Sequence, residues 1–248
     1  MSKNQNSIRT AESVSPGHPD KLCDQISDAI VDAYLAKDPR ARVAIDVAGG
    51  HGAVFVTGEV SSRVEVSIAK IVRRIAGKNS EVIERVAEQS PEIARGVNAG
   101  GAGDQGIMIG YACNETPELL PLEVVLARRL NQCLYQRWMH DGKTQVSVRD
   151  REIVAIVASF QYAPHDELKQ AVTDWVRDEA VQYVDRKYFI ETQTERRTNG
   201  IATENNDPIL HINPAGDWQI GGFAADAGLT GRKLAVDNYG PRIPLGGG

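Results

Sequence analysis

Apolar and polar residues recur along the chain in a repeated order. The segment "AVFVTGEV" (residues 53–60) predicts a strand, and "VSIAKIVRRIAG" (66–77) after it places its apolar residues on one helical stripe. Further on, "TQVSVRDREIVAIVASFQY" (144–162) predicts two strands joined by a charged turn. "DELKQAVTDWVRDEAVQYV" (166–184) then predicts an amphipathic helix. The pattern therefore predicts a unit of strand followed by helix that occurs more than once.

A third unit begins but lacks its helix. The segments "DWQIGG" (217–222) and "RKLAVDNYG" (232–240) predict two short strands, and no helical pattern follows them. Two more helices are predicted by "DKLCDQISDAIVDAYLAKD" (20–38) and "PLEVVLARRLNQCLYQRWM" (121–139). Polar residues dominate "IETQTERRTNGIATENND" (190–207), which predicts a long loop or an irregular hairpin.

Composition narrows the class of protein. With 248 residues and 42% hydrophobic residues, the chain can build one large core or several small ones. A net charge of -5 gives no basis for binding nucleic acid or an anionic membrane. The longest apolar run, "IVAIVA", is too short to span a bilayer. Three cysteines without C-x-x-C spacing suggest neither disulfides nor a zinc site, so we expect a cytoplasmic protein.

The segment "GAGDQG" contains Gly101, Gly103 and Gly106 in the spacing of the dinucleotide-binding fingerprint. That fingerprint needs a strand before it and a helix after it. Here small, polar "ARGVNAG" precedes the glycines and strand-like "IMIGYA" follows, which argues against a dinucleotide site. The cluster is either a turn or a ligand loop, in which the carboxylate of Asp104 could accept hydrogen bonds.

The segment "SPGHPDK" places His18, Asp20 and Lys21 directly before a helix. The positive end of that helix, an imidazole, a carboxylate and an ammonium together favour a site for metal and phosphate. The alternative is an ordinary helix cap with exposed neighbours. Aspartates recur every fourth residue along the same helix, and only Asp20 lies close enough to His18 and Lys21 to support a metal ligand.

The segment "ADAGLTGRKLAVD" places Asp226 six residues before Arg232 and seven before Lys233, with Gly228 and Gly231 between them. Adjacent arginine and lysine at the end of a glycine-containing loop suit a polyphosphate, although a solvated basic pair is an equal alternative. No G-x-x-x-x-G-K-[ST] phosphate loop occurs in the sequence. Four other candidates are ordinary residues when taken alone: Glu59, Gln89, Lys143 and Trp218.

Taken together and in order, several blocks resemble the S-adenosylmethionine synthetases, also called methionine adenosyltransferases. The blocks are "AESVSPGHPDKLCDQISDAI", "TGEV", "QSPEIARGV", "GAGDQGIMIGYACNET", "KTQV", "INPAGDWQIGG" and "DAGLTGRKLAVDNYG". The resemblance implies that S-adenosylmethionine is made from ATP and L-methionine. In that reaction the methionine sulfur attacks C5′ of ATP, and the expelled triphosphate is hydrolysed to pyrophosphate and phosphate.

The resemblance also implies a role for each matching residue. His18, Lys143, Arg232 and Lys233 would act in catalysis, and Asp20 would bind magnesium, with a pair of Mg²⁺ ions in each site. Residues expected to contact the nucleotide are His18, Asp141, Lys143, Asp217, Trp218, Asp226, Arg232 and Lys233. Residues expected to contact methionine are Glu59, Gln89, Asp104 and Asp226.

Some positions depart from the family pattern. Asp46 stands where the family usually has a glutamate for a potassium ion, so it keeps the charge with a shorter reach. Asp217 and Trp218 replace the more common arginine and phenylalanine. The stretch between Gln89 and "GAGDQG", which forms the mobile lid in relatives, is shorter here. A shorter lid is expected to exclude water less completely.

The resemblance implies an α+β fold of related strand-and-helix units around a pseudo-threefold axis, with the third unit incomplete. We expect residues 1–100 to form an amino-terminal domain, 101–216 a central domain, and 217–248 the start of a carboxy-terminal one. The sequence stops at glycines where the family continues, so it is interpreted as lacking the carboxy-terminal third.

The expected assembly is a homodimer or homotetramer that binds ATP, L-methionine, Mg²⁺ and K⁺, and binds neither nucleic acid nor membrane. It could need a carboxy-terminal fragment or a full-length partner. The alternative function is a truncated non-catalytic or regulatory subunit that acts only with a partner chain.

Overall fold

The computed structural model describes residues 7–184 and 208–245. These residues form two compact units, which we name the amino-terminal and central units. The amino-terminal unit contains residues 16–109, 220–234 and 244–245. The central unit contains residues 7–15, 110–184, 208–219 and 235–243.

The described chain contains both strands and helices. In order they are β1 (Ile8–Val14), α1 (Pro19–Leu35), β2 (Arg42–Gly50), β3 (Ala53–Ser61), α2 (Ile68–Ala76), β4 (Glu81–Ala87), α3 (Pro91–Asn98), α4 (Leu122–Arg137), β5 (Gly142–Arg149), β6 (Glu152–Phe160), α5 (His165–Asp178), β7 (Ile209–Ile212), β8 (Gly228–Leu229) and α6 (Leu234–Asp237). Two short 3₁₀ turns lie at Ala180–Gln182 and Gly222–Ala224.

The amino-terminal unit is built on a sheet with strand order β4-β3-β2-β8. Strand β2 is antiparallel to β3 and β8, and β3 is parallel to β4. Alternation along β2 and β3 turns Val47 and Val56 to one face, where they are fully buried with Ile26 and Ile30 of α1 and Val72 of α2. This core fixes α1 and therefore the position of its amino terminus.

The central unit is built on a second mixed sheet, with strand order β1-β5-β6-β7. Strand β5 is antiparallel to β1 and β6, whereas β7 is parallel to β6. Helices α4 and α5 share its core, in which Leu126, Leu130, Ile156, Phe160 and Trp175 are almost completely buried. The predicted strand pair 144–162 and its charged turn are confirmed by β5 and β6.

Both units contain the same order of elements. Each has a helix, two antiparallel strands, a second helix and a strand parallel to the second strand: α1-β2-β3-α2-β4 and α4-β5-β6-α5-β7. The apolar face predicted for this helix is confirmed at Leu168, Val172, Trp175 and Val176, which are the buried residues of α5. The predicted continuation to residue 184 is wrong, because α5 ends at Asp178 and Val181, also predicted on this face, lies in a separate 3₁₀ turn. The predicted recurrence of strand-and-helix units is therefore observed twice.

Three predicted strands are wrong. Residues 217–221 ("DWQIG") form no strand, because the carbonyls of Trp218 and Gln219 accept hydrogen bonds from a turn at Gln161 and Tyr162. In "RKLAVDNYG" the chain forms the short helix α6, closed by a Gly240 N–H to Ala235 carbonyl bond of 2.9 Å.

"IMIGYA" has no regular structure either, and its first residues lie in solvent. Ile107 is 69% exposed and Met108 90% exposed, so no neighbouring strand covers them. Its predecessor "ARGVNAG", interpreted as a polar approach to the glycines, lies largely within α3. Short apolar patterns do not determine strand formation without a pairing partner.

The predicted loop or hairpin at 190–207 lies outside the described residues. Within the described ranges, no helix has the length and apolar character needed to cross a membrane.

A network of charges ties three segments of the central unit together. Glu115 accepts two hydrogen bonds from Arg9 of β1, at 2.9 and 3.0 Å, and one from Arg242, at 3.1 Å. Arg242 also pairs with the fully buried Glu123 at 2.8 Å. Burial raises the pKa of Glu115, but hydrogen bonds from the Leu122 N–H, Arg242 and Arg9 outweigh it and hold the pKa below its usual value.

Because of this network, we expect the stability of the fold to decrease at acidic pH. Because the Glu115 carboxyl is a stronger acid in the folded than in the unfolded chain, its stabilisation is complete above the unfolded pKa. That stabilisation is lost as the pH falls through the lower folded pKa. We expect Glu115→Gln to destabilise the protein at neutral pH by about 1–3 kcal/mol and to flatten the loss of stability as the pH falls into the acidic range. Urea unfolding at each pH measures both effects.

Glu12→Gln is the matched control, because Glu12 is an exposed carboxylate of β1 in the same unit. An equal flattening in this variant would contradict a specific role for Glu115.

Candidate active site

The first candidate cluster lies at the amino terminus of α1. Pro19 occupies the first helical turn, where its missing N–H breaks no hydrogen bond, and His18 caps the helix. The Nδ1 atom of His18 accepts the Asp20 N–H at 3.1 Å, so a neutral imidazole carries its proton on Nε2. His18 is 3% exposed. The cap thus fixes both the ring and the carboxylate at the positive end of the helix.

Asp20 is the centre of this cluster. Its side chain is 1% exposed and accepts hydrogen bonds from the Lys233 ammonium at 2.6 Å and from the Leu229 N–H at 2.9 Å. The Arg232 Nε atom lies 2.9 Å from the Oδ1 atom of Asp20. Burial raises the pKa of Asp20, yet the hydrogen bonds from Lys233 and Leu229 and the charges of both cations outweigh it and lower the pKa. Asp20 is therefore an anion near neutral pH.

The loop that carries both cations is held by its main chain. A Cβ on Gly228 would lie 2.2 Å from the Pro19 carbonyl oxygen, so only glycine allows this approach to α1. Thr230 is bonded to both the N–H and the carbonyl of Val47 on β2. Gly231 has a φ of +75° and donates its N–H to Asp24 at 2.9 Å. These contacts place Arg232 and Lys233 beside Asp20.

The four aspartates of α1 do not form one charged stripe. Asp20 is buried, and Asp24 pairs with Lys21 at 3.1 Å as well as with the loop. Asp28 and Asp32 are exposed. The stripe is therefore partly neutralised by basic groups at its amino-terminal end and solvated at the other.

Asp226 lies at the start of the same loop. Its carboxylate accepts the Ala227 N–H at 2.7 Å, and Arg232 donates to the Ala227 carbonyl at 2.8 Å. Asp226 is therefore adjacent in sequence to the residue whose carbonyl Arg232 contacts.

Other predicted residues of this unit lie elsewhere on it. The strand register turns Asp46 and Glu59 to the same face of the sheet, opposite to the face that α1 covers. Gln89 follows β4, and its side-chain oxygen is buried without a hydrogen-bond partner among the described residues. Asp104 is exposed and accepts the Gln105 N–H at 2.7 Å. No hydrogen bond or ion pair within the described ranges joins these four residues to Asp20.

A second cluster lies in the central unit, where β5 begins. Asp141 is buried, and its main chain is bonded to Gln161 in both directions. Lys143, two residues on, has an exposed side chain. Gln161 also donates to the Gln219 carbonyl at 2.8 Å, and the adjacent Tyr162 donates its N–H to the Trp218 carbonyl at 3.0 Å. Gln161 and Tyr162 therefore hold Trp218 close to Asp141.

Trp218 is half-buried, and its indole N–H has no hydrogen-bond partner within the described part of the chain. Asp217 beside it caps a helix. It accepts the His165 N–H at the start of α5 at 3.3 Å and the Asn213 side-chain amide at 3.1 Å. The residue before α5, Pro164, provides no side-chain cap of its own. An aspartate at this position is explained by the helix.

This contact predicts a stability effect for Asp217. We expect Asp217→Ala to destabilise the chain by about 1 kcal/mol, because the first turn of α5 loses its acceptor. Asp166→Ala is the control, since that carboxylate lies in the same turn but its side chain is fully exposed. Equal losses in urea unfolding would show that Asp217 contributes only general helix electrostatics.

Three residues that help to build these clusters were not identified from the sequence. Asn213 donates to the Ala163 carbonyl and accepts the Phe160 N–H, and it could have been suspected because it lies in "INPAGDW". Nothing in the local sequence indicated a role for Gln161 or Thr230, because their hydrogen-bond partners are far away along the chain.

The donor set fits a magnesium ion that is shared with a polyphosphate. Mg²⁺ in such sites is commonly held by one or two carboxylates, with phosphates and waters completing its coordination. Asp20 supplies one buried carboxylate between two cations that suit phosphate oxygens. Within residues 7–184 and 208–245, no group of three His, Cys, Asp or Glu residues could cage a metal.

Comparison with known proteins gives consistent matches. Residues 6–91 match the family model "S-adenosylmethionine synthetase, N-terminal domain", and residues 99–218 match "S-adenosylmethionine synthetase, central domain". Relatives named S-adenosylmethionine synthase are 38% identical in Thermus thermophilus, 39% in Synechocystis sp. and 40% in Synechococcus sp. (strain CC9605). The alignments cover 96%, 96% and 97% of this chain and 67%, 65% and 67% of those relatives.

Proposed function

Because the chain belongs to the S-adenosylmethionine synthetase family, we propose that it is a methionine adenosyltransferase. Its reaction joins ATP and L-methionine: the sulfur attacks C5′ of ATP and expels the triphosphate, which is then hydrolysed to pyrophosphate and phosphate. A thioether is nucleophilic without deprotonation, so no general base is required. Rate enhancement must come from positioning the two substrates and from stabilising a departing polyanion.

The observation that carries this proposal is the buried Asp20 between Arg232 and Lys233 at the positive end of α1. Arginine can bind two phosphate oxygens at once, and lysine adds a compact charge. Both cations are held by a loop whose main chain is anchored to α1 and β2. Magnesium, when bound with Asp20, would neutralise charge on the leaving triphosphate.

We further propose the remaining roles from the resemblance. His18 would contact ATP near the triphosphate, and Asp46 would bind potassium. Residues proposed for the nucleotide are Asp141, Lys143, Asp217, Trp218 and Asp226, and those for methionine are Glu59, Gln89, Asp104 and Asp226. For Trp218, support comes from an unpartnered indole N–H among the described residues and from its proximity to Asp141.

The activity is tested by incubating the purified chain with ATP, L-methionine, Mg²⁺ and K⁺ and measuring S-adenosylmethionine and phosphate. We expect both products in equal amounts at early times. Product only after addition of a second chain would support the alternative of a non-catalytic subunit, which no other observation favours. Hydrolysis of ATP without S-adenosylmethionine would contradict the proposal.

We propose that the chain forms a homodimer or a homotetramer. The open face of the amino-terminal sheet supports this, because one row across its four strands is apolar: Leu229, Ala48, Phe55 and Ile83. Leu229 is 43% exposed, and Phe55 and Ile83 are each 38% exposed. An apolar row of this kind on a sheet face is typical of a subunit interface.

Phe55→Lys tests this assembly. We expect a shift from oligomer to monomer in sedimentation velocity, because a charge would be buried in the contact. Leu35→Lys, at the end of α1 and 41% exposed, should leave the oligomer intact. A monomeric parent chain, or equal dissociation in both variants, would contradict the assigned face.

The pseudo-threefold arrangement, the domain limits at residues 100 and 216 and the cytoplasmic location remain predictions. The recurrence of one element order in both described units supports the first of them.

A further inference from the structure

The carboxylate proposed for magnesium and the lysine proposed for phosphate are bonded to each other. The Lys233 Nζ atom lies 2.6 Å from Asp20 Oδ2, and the exposed fractions of the two side chains are 16% and 1%. This contact is shorter than those that Asp20 makes with Arg232 and with the Leu229 N–H, each at 2.9 Å. Each ligand-binding group therefore already has a partner of the opposite charge.

We propose that the Asp20–Lys233 ion pair is an internal lock that couples metal binding to polyphosphate binding. A cation that binds alone must displace Lys233, which is then left without its anion. A polyphosphate that binds alone must draw Lys233 away, which leaves the buried Asp20 less neutralised. When both bind, one separation of the pair serves both ligands, so their binding is positively coupled. This inference rests on the proposed function, which makes Asp20 and Lys233 ligands of that site.

The loop is built so that the lysine side chain can exchange partners while the main chain stays in place. Contacts from Leu229, Thr230 and Gly231 to α1 and β2 use main-chain atoms or a threonine hydroxyl and do not involve Lys233. A lysine ammonium is a compact charge on a flexible stem, whereas Arg232 is also bonded to the Ala227 carbonyl. Lys233 is therefore the exchanging cation and Arg232 the stationary one.

The test uses each ligand separately. Mn²⁺ alone is titrated into the chain and free Mn²⁺ is counted by electron paramagnetic resonance. Inorganic tripolyphosphate is titrated in the presence of a chelator and followed by calorimetry. We expect Lys233→Met to tighten binding of Mn²⁺ alone by about tenfold, which is the factor for one hydrogen bond between charged groups. We expect Asp20→Asn to tighten metal-free tripolyphosphate by about the same factor.

Matched controls separate the lock from general electrostatics. Lys21→Met and Asp24→Asn remove the same charges from a neighbouring ion pair on α1 without breaking the Asp20–Lys233 contact. We expect each to change the corresponding affinity by less than about threefold. Equal effects in controls and test variants, or unchanged affinities in both test variants, would overturn the lock.

Thermal melting checks that each variant is folded, and the two arms use different variants, so one unstable protein leaves the other arm decisive. Failure of the proposed function would give a different experimental result from failure of the lock. In that case the parent chain makes no S-adenosylmethionine and binds no tripolyphosphate even with Mn²⁺, while the Mn²⁺ arm still reports on the ion pair.

Discussion

Replacing Asp20 with asparagine is expected to lower the rate of S-adenosylmethionine formation by about 100-fold to 1000-fold, as expected when a charge that organises transition-state stabilisation is lost. The substitution keeps the shape of the side chain. It removes the anion that orients Lys233 and Arg232, together with the carboxylate proposed for magnesium. Initial rates at saturating ATP, methionine and Mg²⁺ measure the effect.

Asp24→Asn is the control for this rate effect. Asp24 lies one turn further along α1, carries the same charge and bonds the same loop through Gly231. We expect a loss of less than about tenfold, because Asp24 contacts neither Lys233 nor Arg232 among the interactions of the described residues. Comparable losses in the two variants would assign the effect to loop anchoring and not to the Asp20 cluster.

Gly228→Ala is expected to have the largest effect on the fold around the site. Its new Cβ would lie 2.2 Å from the Pro19 carbonyl carbon and oxygen and 2.6 Å from the Asp20 nitrogen. All three are main-chain atoms of the first turn of α1, so relief requires the loop or the helix to move. We expect a destabilisation of about 3 kcal/mol in urea unfolding, together with a loss of activity.

Gly110→Ala provides the steric control, because a Cβ at Gly110 meets no atom within 4 Å and its φ needs no glycine. We expect its stability to change by less than about 0.5 kcal/mol. A tolerated alanine at Gly228 would show that the loop does not approach α1 as closely as described.

Long, strongly periodic segments were predicted well from sequence. The apolar stripe of α5 and the strand pair β5 and β6 are both confirmed, because each pattern is satisfied by a core on one side. The short segments "IMIGYA", "DWQIGG" and "RKLAVDNYG" were predicted as strands and are not strands. A strand of a few residues forms only where another strand pairs with it, and its own sequence does not contain that information.

In the candidate site, too, local features were predicted from the sequence and features that depend on a distant partner were not. His18 and Asp20 are neighbours in sequence, and so are Arg232 and Lys233, so local sequence was sufficient to propose each pair. Asp217 could not be understood locally, because its function as the cap of α5 depends on a residue 52 positions away.

The sequence by itself determined the family, the periodic helices and the residue types that suit metal and phosphate, because these depend on local pattern and chemistry. Only the tertiary structure decided that Lys233 lies 2.6 Å from Asp20, across 213 positions of sequence. That contact depends on Gly228 lying against Pro19 and on Thr230 bonding to Val47. Long-range approaches of this kind are decided by packing of the whole unit, since no local propensity favours one distant partner over another.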